Sequence, residues 1–172
     1  MKRKRRIKTL QERYPPSEPC GCDVCRGYCM RPGWWTVEEA RRAVIAGYAP
    51  RMMLELSPDR TFGVLAPAFR GCERSVALQV FAKNGCTFFR HGLCELHETG
   101  LEPLECRFCH HLRQGLGQKC HADLEKDWHT PAGQALVRAW ILWLQEQAGG
   151  GFSAFPAFCK PNAGLESHVS PP

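Results

Sequence analysis

The chain has 172 residues, among them 16 glycines, 13 prolines and 11 cysteines, and a formal charge of +6. That length suits one domain with tails, its turn-forming residues predict short elements, and no apolar run reaches the roughly 20 residues that span a membrane. Lys2, Arg3, Lys4, Arg5, Arg6 and Lys8 supply six of the 23 basic residues, and the other 17 balance the 17 acidic ones. The body is therefore neutral, and nucleic acid is expected to meet the protein only through this tail.

Residues 1–19 read as a basic, disordered tail and linker, with Pro15, Pro16 and Pro19 opposing helix. The basic opening has no apolar segment behind it, which is unlike an export signal, so a cytoplasmic location is expected. Residues 20–33 hold a first group of cysteines and end at Pro32-Gly33. Thr36 and Glu39 have capping-box spacing, and Val37, Ala40, Val44 and Tyr48 share one face, which predicts a helix stopping near Gly47. Residues 51–66 read as a β-hairpin, with Met52, Leu54 and Leu56 alternating before a turn at Ser57-Pro58-Asp59-Arg60. Between Glu73 and Lys83, Val76, Leu78 and Val80 alternate as in a strand, but Val76, Val80 and Phe81 before Asn84-Gly85 favour a short helix.

Residues 86–96 predict a second, tighter hairpin that turns at His91-Gly92. Residues 101–121 read as loop. A long helix is expected from Pro131 to Gln147, capped by Thr130, with Leu136, Trp140, Trp143 and Leu144 in one stripe. The glycine run at 149–151 ends it, and residues 149–172 read as a flexible tail. The expected architecture is a small, loop-rich α+β domain over residues 20–148, organised by metal, with short β-hairpins and two or three helices.

The chemistry lies in the cysteines. Cys20, Cys22, Cys25 and Cys29 fall within ten residues. Cys86, Cys94, Cys106 and Cys109 form a second group, with His97, His110 and His111 nearby. A two-residue spacing, as in Cys22–Cys25 and Cys106–Cys109, lets both sulfurs of a pair reach one ion. An odd cysteine count in a reducing compartment favours metal ligands over disulfides. Either group could close a zinc site or hold a 4Fe–4S cluster, and mixed sharing between the groups is equally open. Cys72 and Cys159 stand alone and read as ordinary residues. Cys120-His121 and His129 are further candidate ligands, and Trp34-Trp35 at a helix start is expected in the core.

From Cys86 to Cys109 the sequence resembles the YkgJ-type family of cysteine-cluster proteins, described as zinc- or iron-chelating domains. Cys86, Cys94, Pro103, Cys106 and Arg107 match its later stretch, and Cys22, Cys25 and Cys29 its early one. Met30 stands where the family has a second cysteine of a doublet, and Glu102 where it has arginine. The resemblance implies chelation, with Cys20, Cys109 and Cys120 outside the family pattern; the clustering and spacing make Cys20, Cys22, Cys25, Cys29, Cys86, Cys94, Cys106 and Cys109 the expected ligands. Flagellin lysine N-methylase has a similar cysteine pattern, which keeps an iron–sulfur enzyme of redox or methyl transfer as the alternative. A zinc-dependent nucleic-acid-binding module ranks third. Arg107 would offset the negative charge of a thiolate centre. Phosphate-binding glycine motifs are absent from the sequence, so nucleotide binding is not expected.

Overall fold

The computed structural model describes residues 6–57, 59–97, 99–148 and 159–160. Its architecture is α+β, a small sheet covered by helices with a cysteine-rich flank. Strands β1 (Met52–Leu56) and β2 (Gly63–Pro67) form the expected hairpin, antiparallel from Met52 opposite Pro67 to Leu56 opposite Gly63. The turn is closed by the Arg60 N–H donated to the Ser57 carbonyl at 2.8 Å. Strand β3 (Val76–Ala77) runs parallel to β1 on its other edge, so β1 is central. Met52, Met53, Val64, Leu65 and Ala66 are all inaccessible. Both sheet faces are thus covered, which is why these strands are not strictly alternating.

Helix α3 (Val37–Ile45) has the predicted capping box: the Thr36 hydroxyl accepts the Glu39 N–H, and the Glu39 carboxylate accepts the Thr36 N–H. Helix α6 (Pro131–Gln147) starts at Thr130 as expected and packs on β2 and α3. Its Trp140 indole N–H donates to the Ala49 carbonyl. Trp34 and Trp35 are buried, as the sequence suggested. In the second hairpin, β4 (Phe89–Arg90) pairs with β5 (Leu93–Cys94). His91 and Gly92 have φ of 51° and 79°, the pair of positive values that a tight two-residue turn needs.

Elsewhere the fold departs from expectation. The stretch from Glu73 to Lys83 supplies β3 and then a 3-10 helix, Gln79–Asn84. Pairing with β1 decides the strand, and local periodicity could not show that partner. The first cysteine group lies largely on a helix, α2 (Asp23–Met30). Residues 101–121 are not loop: they form α4 (Leu104–Phe108), a 3-10 turn at His111–Arg113 and the start of α5 (Gly117–Trp128). Cys120, Leu124 and Trp128 are the buried stripe of α5, its period hidden because cysteine was taken for a ligand. Among the described residues, four helices have eight or more residues, α2, α3, α5 and α6, where two or three were expected.

The ends also differ. Residues 10–19 are not a free linker. A one-turn helix, α1 (Leu10–Arg13), leads to buried Tyr14, whose hydroxyl donates to Asp123 Oδ2 at 2.5 Å. The Ser17 N–H then donates to the Arg107 carbonyl at 2.8 Å. Most of the basic tail, residues 1–5, lies outside the described residues, as do 149–158 and 161–172 of the expected C-terminal tail. Cys159 is buried, forms a disulfide with Cys72 and donates its N–H to the Val76 carbonyl at 2.8 Å. Cysteine arithmetic left both residues unpaired, because residues 87 apart carry no local signal of proximity. Among the described residues no helix is long and apolar enough to cross a membrane.

Candidate metal centre

Cys20 and Cys22 sit on the loop entering α2, Cys22 as its N-cap and Cys25 in its first turn. A helix start presents unpaired N–H groups to whatever lies before it. The Cys22 sulfur takes the N–H of Cys25 and also that of Val24, and the Cys25 amide is the main cause holding its thiol below the ordinary range. Cys25 is buried, and burial pushes its thiol up, opposed by the backbone N–H of His111. Opposite them, the chain leaving α4 delivers His110 and His111. The three sulfurs converge on one ring nitrogen: His111 Nδ1 is 3.5 Å from Cys20 Sγ, 3.6 Å from Cys22 Sγ and 3.5 Å from Cys25 Sγ. His110 stacks on His111 with ring centroids 4.1 Å apart. Ligand atoms of Cys20, Cys25, His110 and His111 all lie within 4.8 Å of one another, a group positioned to hold a metal ion. His110 Nδ1 already accepts the Leu112 N–H at 3.2 Å.

Cys29 lies at the far end of α2, where the charges of Cys94, Glu102 and Cys25 act on it. Cys86 and Cys94 flank the second hairpin, and Cys106 lies in the middle of α4. Burial is the chief cause that raises all four thiols, Cys29 to about 11, Cys86 to about 12, and Cys94 and Cys106 upward as well. Their charges also oppose one another: Cys94 acts on Cys29 and Cys86, and Cys86 on Cys106. Two backbone amides point at these sulfurs, Gly33 N–H to Cys106 Sγ at 3.2 Å and Phe88 N–H to Cys86 Sγ at 3.4 Å. Gly33 is required there, since a Cβ would stand 2.9 Å from the Cys106 sulfur and nitrogen.

A cavity of about 270 Å³ is lined by five of the cysteines, Cys20, Cys25, Cys29, Cys106 and Cys109, and by His110. Glu102 borders it with His97, which it meets at 3.1 Å. Arg107 borders it too, but its guanidinium is held by Glu39, and its buried Nε has no hydrogen-bond partner among the described residues.

The eight predicted ligands therefore divide differently from their order in sequence. Cys20, Cys22 and Cys25 meet His111. Cys29 feels the charges of Cys94 and of Cys25, Cys86 those of Cys94 and Cys29, and Cys106 that of Cys86. Cys109 lines the same cavity as Cys20, Cys25, Cys29 and Cys106, and burial raises its thiol to about 11. Of the weaker candidates, Cys120 is fully buried in the core, His129 packs edge-on to Phe62 and His121 bonds Glu105 at 2.9 Å. Burial would depress His121, but the carboxylate bonded to it turns the net shift upward. Sequence reasoning named His111 only as a neighbour; the doublet His110-His111 directly after Cys109 was the available signal.

It missed Glu55 altogether. Alternation placed Met52, Leu54 and Leu56 inward and Glu55 outward, yet Glu55 is 2% exposed.

No family model matches the chain, and searches of curated proteins and of solved structures found no match.

Proposed function

We propose that the chain is a metal-binding protein in which Cys20, Cys22, Cys25 and His111 hold one zinc ion as a structural cross-link. The observation that carries this is the trio of sulfur-to-Nδ1 distances, 3.5, 3.6 and 3.5 Å. Tetrahedral zinc with Zn–S of about 2.3 Å and Zn–N of about 2.05 Å separates sulfur from nitrogen by about 3.5–3.6 Å. Three thiolates and an imidazole leave no open position, which suits stabilisation rather than catalysis. The His111 backbone N–H on Cys25 and the α2 amides on Cys22 are the outer-shell bonds that orient such ligands.

Cys29, Cys86, Cys94 and Cys106 are proposed as a second centre, of four thiolates, filled by zinc or a 4Fe–4S cluster. The Gly33 and Phe88 amides aimed at sulfur favour an anionic centre, as does the unpartnered Nε of Arg107 nearby. These four are among the six cysteines that match the YkgJ-type pattern, with Cys22 and Cys25 the other two. If the centre is an iron–sulfur cluster, a redox or methyl-transfer enzyme is the second reading.

Anaerobically purified protein, analysed for zinc, iron and acid-labile sulfide beside a visible spectrum, tests both parts. One zinc per chain should disappear in His111→Ala while the metal of the second centre stays. Cys106→Ser should do the reverse. Full zinc retention in His111→Ala would sink the first centre, and a colourless, iron-free preparation would remove the cluster.

A further inference from the structure

The larger cavity, about 500 Å³, opens beside Cys106 and is walled by Trp34, Glu55, Glu105, His121 and Arg31. We propose that it binds a small ligand carrying a protonated amine, anchored by the carboxylate of Glu55.

Glu55 stands in the central strand of the sheet at 2% exposure. A carboxylate so placed costs several kcal/mol unless paired (roughly, for a charge taken from water). Among the described residues, its hydrogen bond is the Trp34 indole N–H, donated to Oε2 at 2.8 Å, and no ion pair reaches it. The neighbouring Glu105 is fully engaged: Oε1 meets His121 Nδ1 at 2.9 Å and Oε2 accepts the Trp34 backbone N–H at 2.8 Å. Glu105 and His121 compensate each other directly, whereas Glu55 has no direct ion pair among the described residues: burial raises its carboxyl, and the charges of Arg31 and His121 oppose that only through space.

The walls narrow the ligand class. An ionised carboxylate only accepts hydrogen bonds, so the group beside it must donate. A cation supplies the donor and the missing charge together. An anionic ligand would oppose Glu55, and a neutral acceptor would require Glu55 to hold its proton. Stacking is also restricted, because the His121 ring lies 3.9 Å from the Trp34 ring. Of the two arginines on the lining, Arg113 is committed to the Pro15 carbonyl at 2.6 Å. Arg31 is exposed to solvent, where its charge is screened. A compact ammonium fits these constraints better than a planar base or an acid. Its site would adjoin Cys106 of the proposed second centre, but its binding rests on Glu55 and not on the metal.

The test uses ¹⁵N-labelled, metal-replete full chain and follows the Trp34 indole N–H signal, which reports on Glu55 directly. Butylammonium chloride, butanol and sodium butyrate are titrated at equal ionic strength. Butylammonium should shift the signal saturably at a concentration at least about tenfold below either of the others. Glu55→Gln should weaken it by about tenfold or more at unchanged metal content. Ala122→Phe changes an exposed residue on the cavity lining. It should block binding without touching the core, and it decides the matter if Glu55→Gln does not fold. Equal or tighter binding of butanol or butyrate would overturn the proposal. So would unchanged amine binding in Ala122→Phe, or no saturable shift with any of the three.

Discussion

Around β1 and α6 the protein buries what most small domains bury: Trp35, Phe69, Phe88, Leu65 and Trp128 interlock with almost no exposure. Between α2 and the chain leaving α4, thiols and imidazoles face one another, Cys20 and Cys25 against His110 and His111, and the backbone runs in short helices and turns. The first region gains stability from apolar area removed from water, at roughly 25 cal/mol per Å². The second has little such area to gain from. Burial raises most of its thiols, Cys86 and Cys106 among them, while Cys22 is held below the ordinary range, so without a cation the raised ones stand as neutral, weak hydrogen-bonding groups. The difference teaches that a single fold can be stabilised regionally, by oil on one side and by ligand chemistry on the other.

Removing metal is the largest perturbation that this contrast predicts. Structural zinc sites contribute about 10–16 kcal/mol in small peptides at neutral pH. Chelation should therefore strip hydrogen-exchange protection from residues 20–33 and 104–113, while the amides paired between β1 and β2 keep theirs. If both regions lost protection together, they would form one cooperative unit and the contrast would fail. Trp35→Ala strikes the other side. Trp35 is inaccessible and its indole N–H donates to the Leu101 carbonyl at 2.7 Å. Its loss should cost about 3–5 kcal/mol in denaturant melts. Folded Trp35→Ala protein should still hold its full metal complement, and a parallel loss of zinc would show that the core also builds the centre.

The smallest effect concerns the clasp between N-terminal segment and α5. Asp123 accepts from the Tyr14 hydroxyl, ion-pairs with Arg13 at 2.5 Å and meets Lys126 at 2.9 Å. The Tyr14 hydrogen bond is the main cause that lowers its carboxyl from 3.8 to about 2. A folded-state value below the unfolded one means stability that is present above the unfolded value and is lost as pH falls towards the folded one. Asp123→Asn should cost about 1–3 kcal/mol near neutrality. The gap from wild type in urea melts should close between about pH 4 and pH 2. A gap that did not change with pH would assign the clasp to packing and not to charge.

Much of the sheet half was legible in the sequence because its signals are local. Thr36 and Glu39 cap α3, Thr130-Pro131 starts α6, and His91-Gly92 makes a turn that needs two positive φ values. Each is a short-range rule, satisfied within a few residues. The site was legible as an inventory only. Cysteine spacing marked the ligand types but not the grouping, since Cys20, Cys22 and Cys25 meet His111, a residue 86 to 91 positions away. The disulfide between Cys72 and Cys159 was invisible for the same reason. Glu55 was misplaced because alternation assumes one wet face, and here both faces of β1 are covered.

By itself, then, the sequence determined the α+β character, the two hairpins, the capped helices and a supply of sulfur ligands, all of which follow from local sterics, periodicity and ligand chemistry. Only tertiary structure decided that Cys20, Cys22 and Cys25 meet His111 and that a glutamate lies buried beside an open cavity. Those outcomes depend on how distant segments pack against each other, and proximity between residues some 90 positions apart leaves no trace in local pattern.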